Sequence, residues 1–208
     1  KIISHRGCWK EEKEKNSVKA FDRSFSLNIG TETDIRDFDG DLVISHDIAN
    51  KDCITLTEFF KIYNSKKTKL PLALNIKSDG QHKMLLKLLK VHSIHDYFLF
   101  DMSIPDTMMY IKEGMNVFIR QSEYEKELPF YEEVKGIWLD AFKAIWYTEK
   151  MIKNHINNGK KVAIVSAELH KRDYIKHWKI LKKWSVIDND NIILCTDFPE
   201  KAIKYFKK

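Results

Sequence analysis

The sequence predicts an α/β fold: one domain over residues 1–208, a single (β/α)8 barrel with a small β-hairpin excursion after the second strand. Three observations carry that expectation. Short β-type runs alternate with amphipathic helical runs from end to end. Leu72-Ala73-Leu74, Val162-Ala163-Ile164-Val165 and Ile192-Ile193-Leu194 are continuously apolar, as strands covered on both faces of a parallel sheet are. One break in the alternation, Asp37-Phe38-Asp39-Gly40-Asp41, reads as a hairpin turn between two strand runs. Setting that excursion aside leaves eight strands, in a chain compact for a fold whose usual size is about 250 residues.

The predicted strands, in order, are Ile2-Ser4, Thr31-Arg36, Leu42-His46, Leu70-Lys77, Tyr97-Met102, Val117-Gln121, Gly136-Phe142, Lys161-Ala167 and Ile192-Thr196. Helical runs lie between most of them. Ser17 is placed to cap Val18 to Leu27, and Thr57 to cap Glu58 to Tyr63. Met84-Leu85-Leu86-Leu88-Leu89 supplies a third apolar stripe. Thr148 is placed to cap Glu149 to Ile156, which stops at Asn158-Gly159; Tyr174 to Trp184 and Pro199 to Phe206 complete the set. Since Lys1-Ile2-Ile3 already reads as a first strand, the start is expected to lie close to the native N-terminus.

Bulk properties exclude several function classes. Composition is that of a globular domain: 43% hydrophobic, 12% aromatic and 32% charged, with 7 Gly and 4 Pro. No run approaches the ~18 apolar residues of a membrane span, so no stable membrane insertion is expected. Cys8, Cys53 and Cys195 are scattered without CxxC spacing. That argues against disulfides and structural zinc, fits a reducing cytoplasmic setting, and makes each a small buried hydrophobe. The net charge of +6 sits largely in lysine-rich helical runs. Without a basic stripe interleaved with base-stacking aromatics, no nucleic-acid partner is expected; mild steering of a small anionic substrate accounts for the sign.

The chemistry gathers at strand ends, which converge on one face of a barrel. In order these are His5-Arg6, Glu32 and Asp34, His46, Asn75 and Lys77, Asp101, Arg120, Asp140, Ser166 with Glu168, and Asp197. Glu32-Thr33-Asp34 has i, i+2 spacing, which puts both carboxylates on one side of a strand. Two anions there call for a divalent cation, Mg2+ or Ca2+ by the hardness of oxygen ligands, or else form a surface salt-bridge pair. His5 and His46 suit general acid–base work near neutral pH, and Arg6 and Lys77 suit an anionic substrate. Trp138, Asp140, Trp146, Glu168, His170 and Arg172 fall in later βα loops. They are candidates for reading the rest of the substrate; for the tryptophans, helix–barrel packing is the plain alternative. Asp197 could equally cap the last helix.

His5-Arg6-Gly7, Asn16-Ser17, Glu32-x-Asp34, Asp39-Gly40, His46-Asp47, Asn75-Ile76-Lys77 and Thr196-Asp197-Phe198-Pro199 together resemble the glycerophosphodiester phosphodiesterase family in order and spacing. The resemblance runs from the first strand to the last helix. It implies a TIM barrel with a bound Mg2+ or Ca2+ that hydrolyses glycerophosphodiesters to an alcohol and glycerol 3-phosphate. On the matching positions, His5 and His46 would be the acid–base pair, Glu32 and Asp34 metal ligands, and Arg6 and Lys77 phosphate holders. Arg120, Trp138 and Glu168 complete the candidate substrate contacts.

The chain departs from that family twice. Lys15-Asn16 stands where the family usually has Glu-Asn, and Asn75 where it usually has a third acidic ligand. An amide oxygen still ligates a hard cation, but the set is one charge short, so weaker metal binding or a shell completed by substrate phosphate is expected. The related phosphatidylinositol-specific phospholipase C enzymes also use Asn among their ligands. Two alternatives keep the barrel: a catalytically silent phosphate-ligand binding module, and a phospholipase D-type enzyme that cyclises a lipid substrate.

Overall fold

The computed structural model describes residues 1–66 and 69–207. The chain gathers into two compact units, Ser4–Val117 and Lys1–Ile3 with Phe118–Lys208. In the first, the strand order is β5 (Tyr97–Phe100), β4 (Leu72–Ile76), β2 (Gly30–Phe38) and β1 (Ile2–His5), with β3 (Asp41–Ile44) antiparallel on β2. In the second, β1 is followed by β9 (Ile192–Thr196), β8 (Lys161–Val165), β7 (Gly136–Leu139) and β6 (Phe118–Gln121). Without the β3 excursion, these are eight parallel strands in (β/α)8 order, as the sequence predicts.

Helices α1 (Val18–Ser26), α2 (Leu56–Ser65), α3 (His82–Val91) and α4 (Ile104–Lys112) belong to the first unit. Their start signals are local. The Ser17 side chain accepts from Ala20 N at the head of α1, as expected. For α2 the expectation is corrected: Thr55, not Thr57, is the cap, in a reciprocal capping box with Glu58. Helix α4, absent from the predicted set, is capped by Ser103 and carries Pro105 in its first turn. Phe21 and Phe25 of α1 meet Phe59 of α2 at 4.7 and 6.0 Å between ring centroids, and Phe25 meets Tyr63 edge-on at 5.3 Å. Such aromatic pairs add ~0.5–1.5 kcal/mol each beyond their buried area.

The second unit carries α5 (Glu149–Asn157), α6 (Tyr174–Lys183) and α7 (Pro199–Phe206). Thr148 caps α5, and Gly159 follows it at φ +75°. Asp173 caps α6, which ends at Lys183 rather than Trp184. The cap position of α7 is Phe198, with no side-chain hydrogen bond, so Asp197 does not cap that helix. Among the three cysteines Cys8 and Cys195 are buried as expected, whereas Cys53 is only half-buried. Strand β7 is shorter than predicted, at Gly136–Leu139, because its apolar run ends at Asp140, and β6 begins at Phe118, Val117 forming only an isolated bridge to Leu99.

Candidate active site

The site residues of the first unit follow from its strand register. Asp34 on β2 lies opposite Asn75 on β4, and Glu32 lies opposite Ala73. The β2–β3 hairpin turns through Asp39 and Gly40, both at positive φ (49° and 83°), as a two-residue type I′ turn demands. It returns the chain alongside β2, where Ser45 N donates to Asp34 O at 3.0 Å. Arg36, on β2, donates through Nε and Nη2 to the His46 carbonyl at 3.3 Å each.

After β1 the backbone leaves the strand in the left-handed region: Arg6 has φ 57° and Gly7 φ 84°. A non-glycine residue there stores ~1–2 kcal/mol and persists only when its neighbours over-determine it. They do: Arg6 N donates to Glu32 O at 3.0 Å, and Arg6 O accepts from Asn16 N at 3.0 Å. Gly7 is needed twice over, since an added Cβ would lie 2.7 Å from that of Ala20 on α1.

The side chains then form one charged cluster. Asp34, 0% exposed, accepts from Asn16 Nδ2 at 2.9 Å on Oδ2, and is ion-paired with Arg6, whose Nε lies 3.0 Å from the same oxygen, and with Lys77, whose Nζ lies 3.5 Å from Oδ1. Glu32, 2% exposed, accepts from Arg6 N at 3.2 Å through Oε2, and His5 Nε2 lies 3.8 Å from that oxygen. Burial foremost, and then the Asp34 charge, push the Glu32 carboxyl well up from its ordinary value. His46 Nδ1 lies 2.9 Å from Asp47 Oδ1, an exposed carboxylate that the imidazole contact holds below its usual range. With Nδ1 so engaged, Nε2 is the nitrogen suited to proton exchange.

The raised Glu32 value sets a pH dependence. A carboxyl that binds its proton more tightly folded than unfolded favours folding at acid pH and opposes it as pH rises above 4.5 through the folded-state value. In EDTA, Glu32→Gln is therefore expected to flatten the fall in stability over that range. Urea titrations between about pH 4.5 and 8 measure it; an unchanged slope would contradict the assignment.

Whether the cluster suits a hard cation can be read from its oxygens. Among the described residues no group of three or more His, Cys, Asp or Glu side chains is gathered as a metal cage. The donors are instead two carboxylates and an amide. Asn75 Nδ2 donates to Asp101 Oδ2 at 3.0 Å, and Asn75 Oδ1, buried, has no hydrogen-bond partner among the described residues. Asp34 Oδ1 likewise accepts no hydrogen bond. Buried oxygens left without donors are what a small cation would complete, so the residues fit one.

Asn16 and Asp101 belong to this cluster without having been assigned a role in it. Asn16 bonds both Asp34 and, through Oδ1, the Thr33 hydroxyl at 2.9 Å, from a backbone at φ 59°. Its signal in the sequence was its place directly before the Ser17 cap. The Lys15 Nζ, at the position of the first departure from the resembled family, lies 4.5 Å over the Trp9 ring and 3.6 Å from Glu12.

The remaining candidates belong to the second unit. Arg120 donates from Nε and Nη2 to Glu125 at 2.6 and 3.1 Å. Trp138 is buried within β7, 5% exposed. Glu168 accepts from Ser166 Oγ at 2.5 Å, from Thr196 Oγ1, and from Asp197 N at 3.1 Å; burial raises its carboxyl. It does not pair with His170, whose Nε2 lies 2.6 Å from Asp140 Oδ1. Trp146 Nε1 donates to Asp140 O at 2.7 Å, and Arg172 donates to Ala141 O.

No protein-family model matches the sequence, and a comparison with curated proteins gives no match. Solved structures do match. The fold is similar to a protein from Galdieria sulphuraria assigned as a glycerophosphodiester phosphodiesterase: TM-score 0.80, 18% identity, over 100% of this chain and 98% of that one. A glycerophosphodiester phosphodiesterase from Parabacteroides distasonis gives 0.73 and 18%, over 99% and 96%. A phosphodiesterase from Oleispira antarctica, in complex with the product sn-glycerol-3-phosphate, gives 0.71 and 14%, over 100% and 97%.

Proposed function

We propose that this chain is a phosphoric diester hydrolase of the glycerophosphodiester phosphodiesterase type, acting on a small glycerol or polyol phosphodiester. The observation that carries the reading is the charged cluster itself: a buried Glu32–Asp34 doublet, two cations at Asp34 and a histidine 3.8 Å from Glu32. A binding module would want the cations; buried carboxylates beside them are costly unless they do something further. The likeness to a phosphodiesterase holding sn-glycerol-3-phosphate supports the same substrate class.

Glu32, Asp34 and the Asn75 amide oxygen would hold the divalent cation, Mg2+ or Ca2+. Such an ion, when bound, draws charge from a nonbridging phosphoryl oxygen. Arg6 and Lys77 bind the phosphate, Arg6 as a planar fork and Lys77 as a point charge. Both cations lie at Asp34, so a phosphate competes with Asp34 for them. His5 and His46 transfer the protons: one takes that of the attacking water, or of a substrate hydroxyl whose cyclic phosphate water then opens, and the other protonates the leaving alcohol. General acid and general base contribute ~10²–10⁴ each, roughly 5–11 kcal/mol together; positioning and electrostatics supply the rest of a barrier reduction of about 8–23 kcal/mol.

A panel of glycerophosphodiesters assayed with Mg2+, with Ca2+ and with EDTA tests this, glycerol 3-phosphate being measured as product. Turnover that EDTA abolishes is the expected result. Binding of glycerol phosphate with no turnover of any diester would replace the reading with the silent binding module. A cyclic phosphate as end product in the phosphorus NMR spectrum would replace it with the cyclising reaction.

A further inference from the structure

We propose that Asp101 is a positioning residue for the cation site: it orients the Asn75 amide and lends it the charge that a neutral ligand lacks. This rests on the reading of Glu32, Asp34 and Asn75 as the cation-holding oxygens.

Position comes first. Asn75 lies between two strands, opposite Asp34 on one side and Phe100 on the other, and Asp101 is the next residue after Phe100. It follows the end of β5 at φ 69°, in the left-handed region that non-glycine residues adopt at a cost. There its Oδ2 takes the Asn75 Nδ2 hydrogen at 3.0 Å.

Chemistry then leaves one orientation. An ionised carboxylate only accepts hydrogen bonds, so the end of the Asn75 amide that faces Asp101 must be the nitrogen. The oxygen is turned away from Asp101, buried and without a hydrogen-bond partner among the described residues. An amide oxygen in that state is destabilising unless something electropositive takes it up. The same hydrogen bond polarises the amide, so a negative charge one residue removed strengthens the oxygen as a ligand. The carboxylate that the cation-holding set lacks thus sits just past the neighbouring strand, acting through Asn75.

Partners of metal ligands typically change metal affinity by about 10–100-fold when removed. The test is calorimetric titration of Mn2+ and Mg2+ into the wild-type protein, Asp101→Gly, Asp101→Asn, Asn75→Ala and the Asn75→Ala/Asp101→Gly pair. Glycine accepts the positive φ, so Asp101→Gly removes the carboxylate without adding backbone strain. Asparagine keeps an acceptor for Asn75 but not the charge. Asp101→Gly should bind Mn2+ at least about tenfold more weakly, Asp101→Asn less severely so, and in the Asn75→Ala background Asp101→Gly should change nothing further. An affinity within about twofold of wild type in both single variants overturns the proposal. So does an equal loss in the Asn75→Ala background, since Asp101 would then act independently of Asn75. Wild-type protein that binds neither ion overturns this proposal and the cation-holding role together; wild-type binding with indifferent variants overturns this proposal alone.

Discussion

His46→Ala and His5→Ala are each expected to lower kcat by about 10²–10⁴, the usual worth of one positioned proton-transfer group. The two differ in what else they disturb. His46 has a side chain 43% exposed and is held by its backbone carbonyl and by Asp47, so its loss should leave stability within about 0.5 kcal/mol. His5, 14% exposed beside the buried Glu32, should also disturb the electrostatics of the doublet. Added imidazole is therefore expected to restore part of the activity of His46→Ala and less of that of His5→Ala. Affinity for glycerol phosphate should stay near the wild-type value in His46→Ala, because Arg6 and Lys77 remain. Near-normal turnover in either variant would remove that histidine from the acid–base pair.

Asp34→Ala is expected to be the most damaging single change to stability. The carboxylate is wholly buried and takes Arg6, Lys77 and Asn16 at once. Removing one member of a buried ion pair costs ~3–5 kcal/mol, because the opposite charge stays behind with its desolvation uncompensated. Arg6 and Lys77 keep about a fifth of their side chains exposed, 19% and 20%, so the loss should fall toward the lower end, about 3 kcal/mol. Asp34→Asn, which can still accept from Asn16, should cost less. Urea unfolding of the two variants measures the difference, and a loss below about 1 kcal/mol for Asp34→Ala would mean that the cations find other partners.

The placement of the candidate residues of the first unit was legible because strands impose a period of two and end in polar residues: Glu32 and Asp34 had to share a side, and His5 and Arg6 had to fall together at the end of the first strand. Helix starts were legible where one residue stood in the right place, as with Ser17 and Thr148. Thr57 was misplaced although Thr55-Leu56-Thr57-Glu58 is a complete capping box, which the apolar pattern alone does not weigh. Helix α4 was hidden because its large apolar residues Ile104, Met108 and Met109 face outward, 58%, 54% and 37% exposed, and so draw no core stripe. The contacts that set the chemistry were beyond reach. Asn75 and Asp101 are 26 residues apart, as Asp140 and His170 are 30, and only strand register or loop closure brings such pairs together.

Glu32 and Asp34 lie on β2 and His46 lies two residues beyond β3, the two strands being closed by a two-residue turn and a ladder from Ile35–Ile44 to Phe38–Asp41. The proposed proton carrier and the two carboxylates proposed to hold the cation keep their spacing by covalent connection along one hairpin. Segments elsewhere in the chain are then at liberty to diverge and admit a different alcohol while the reacting centre stays in tune.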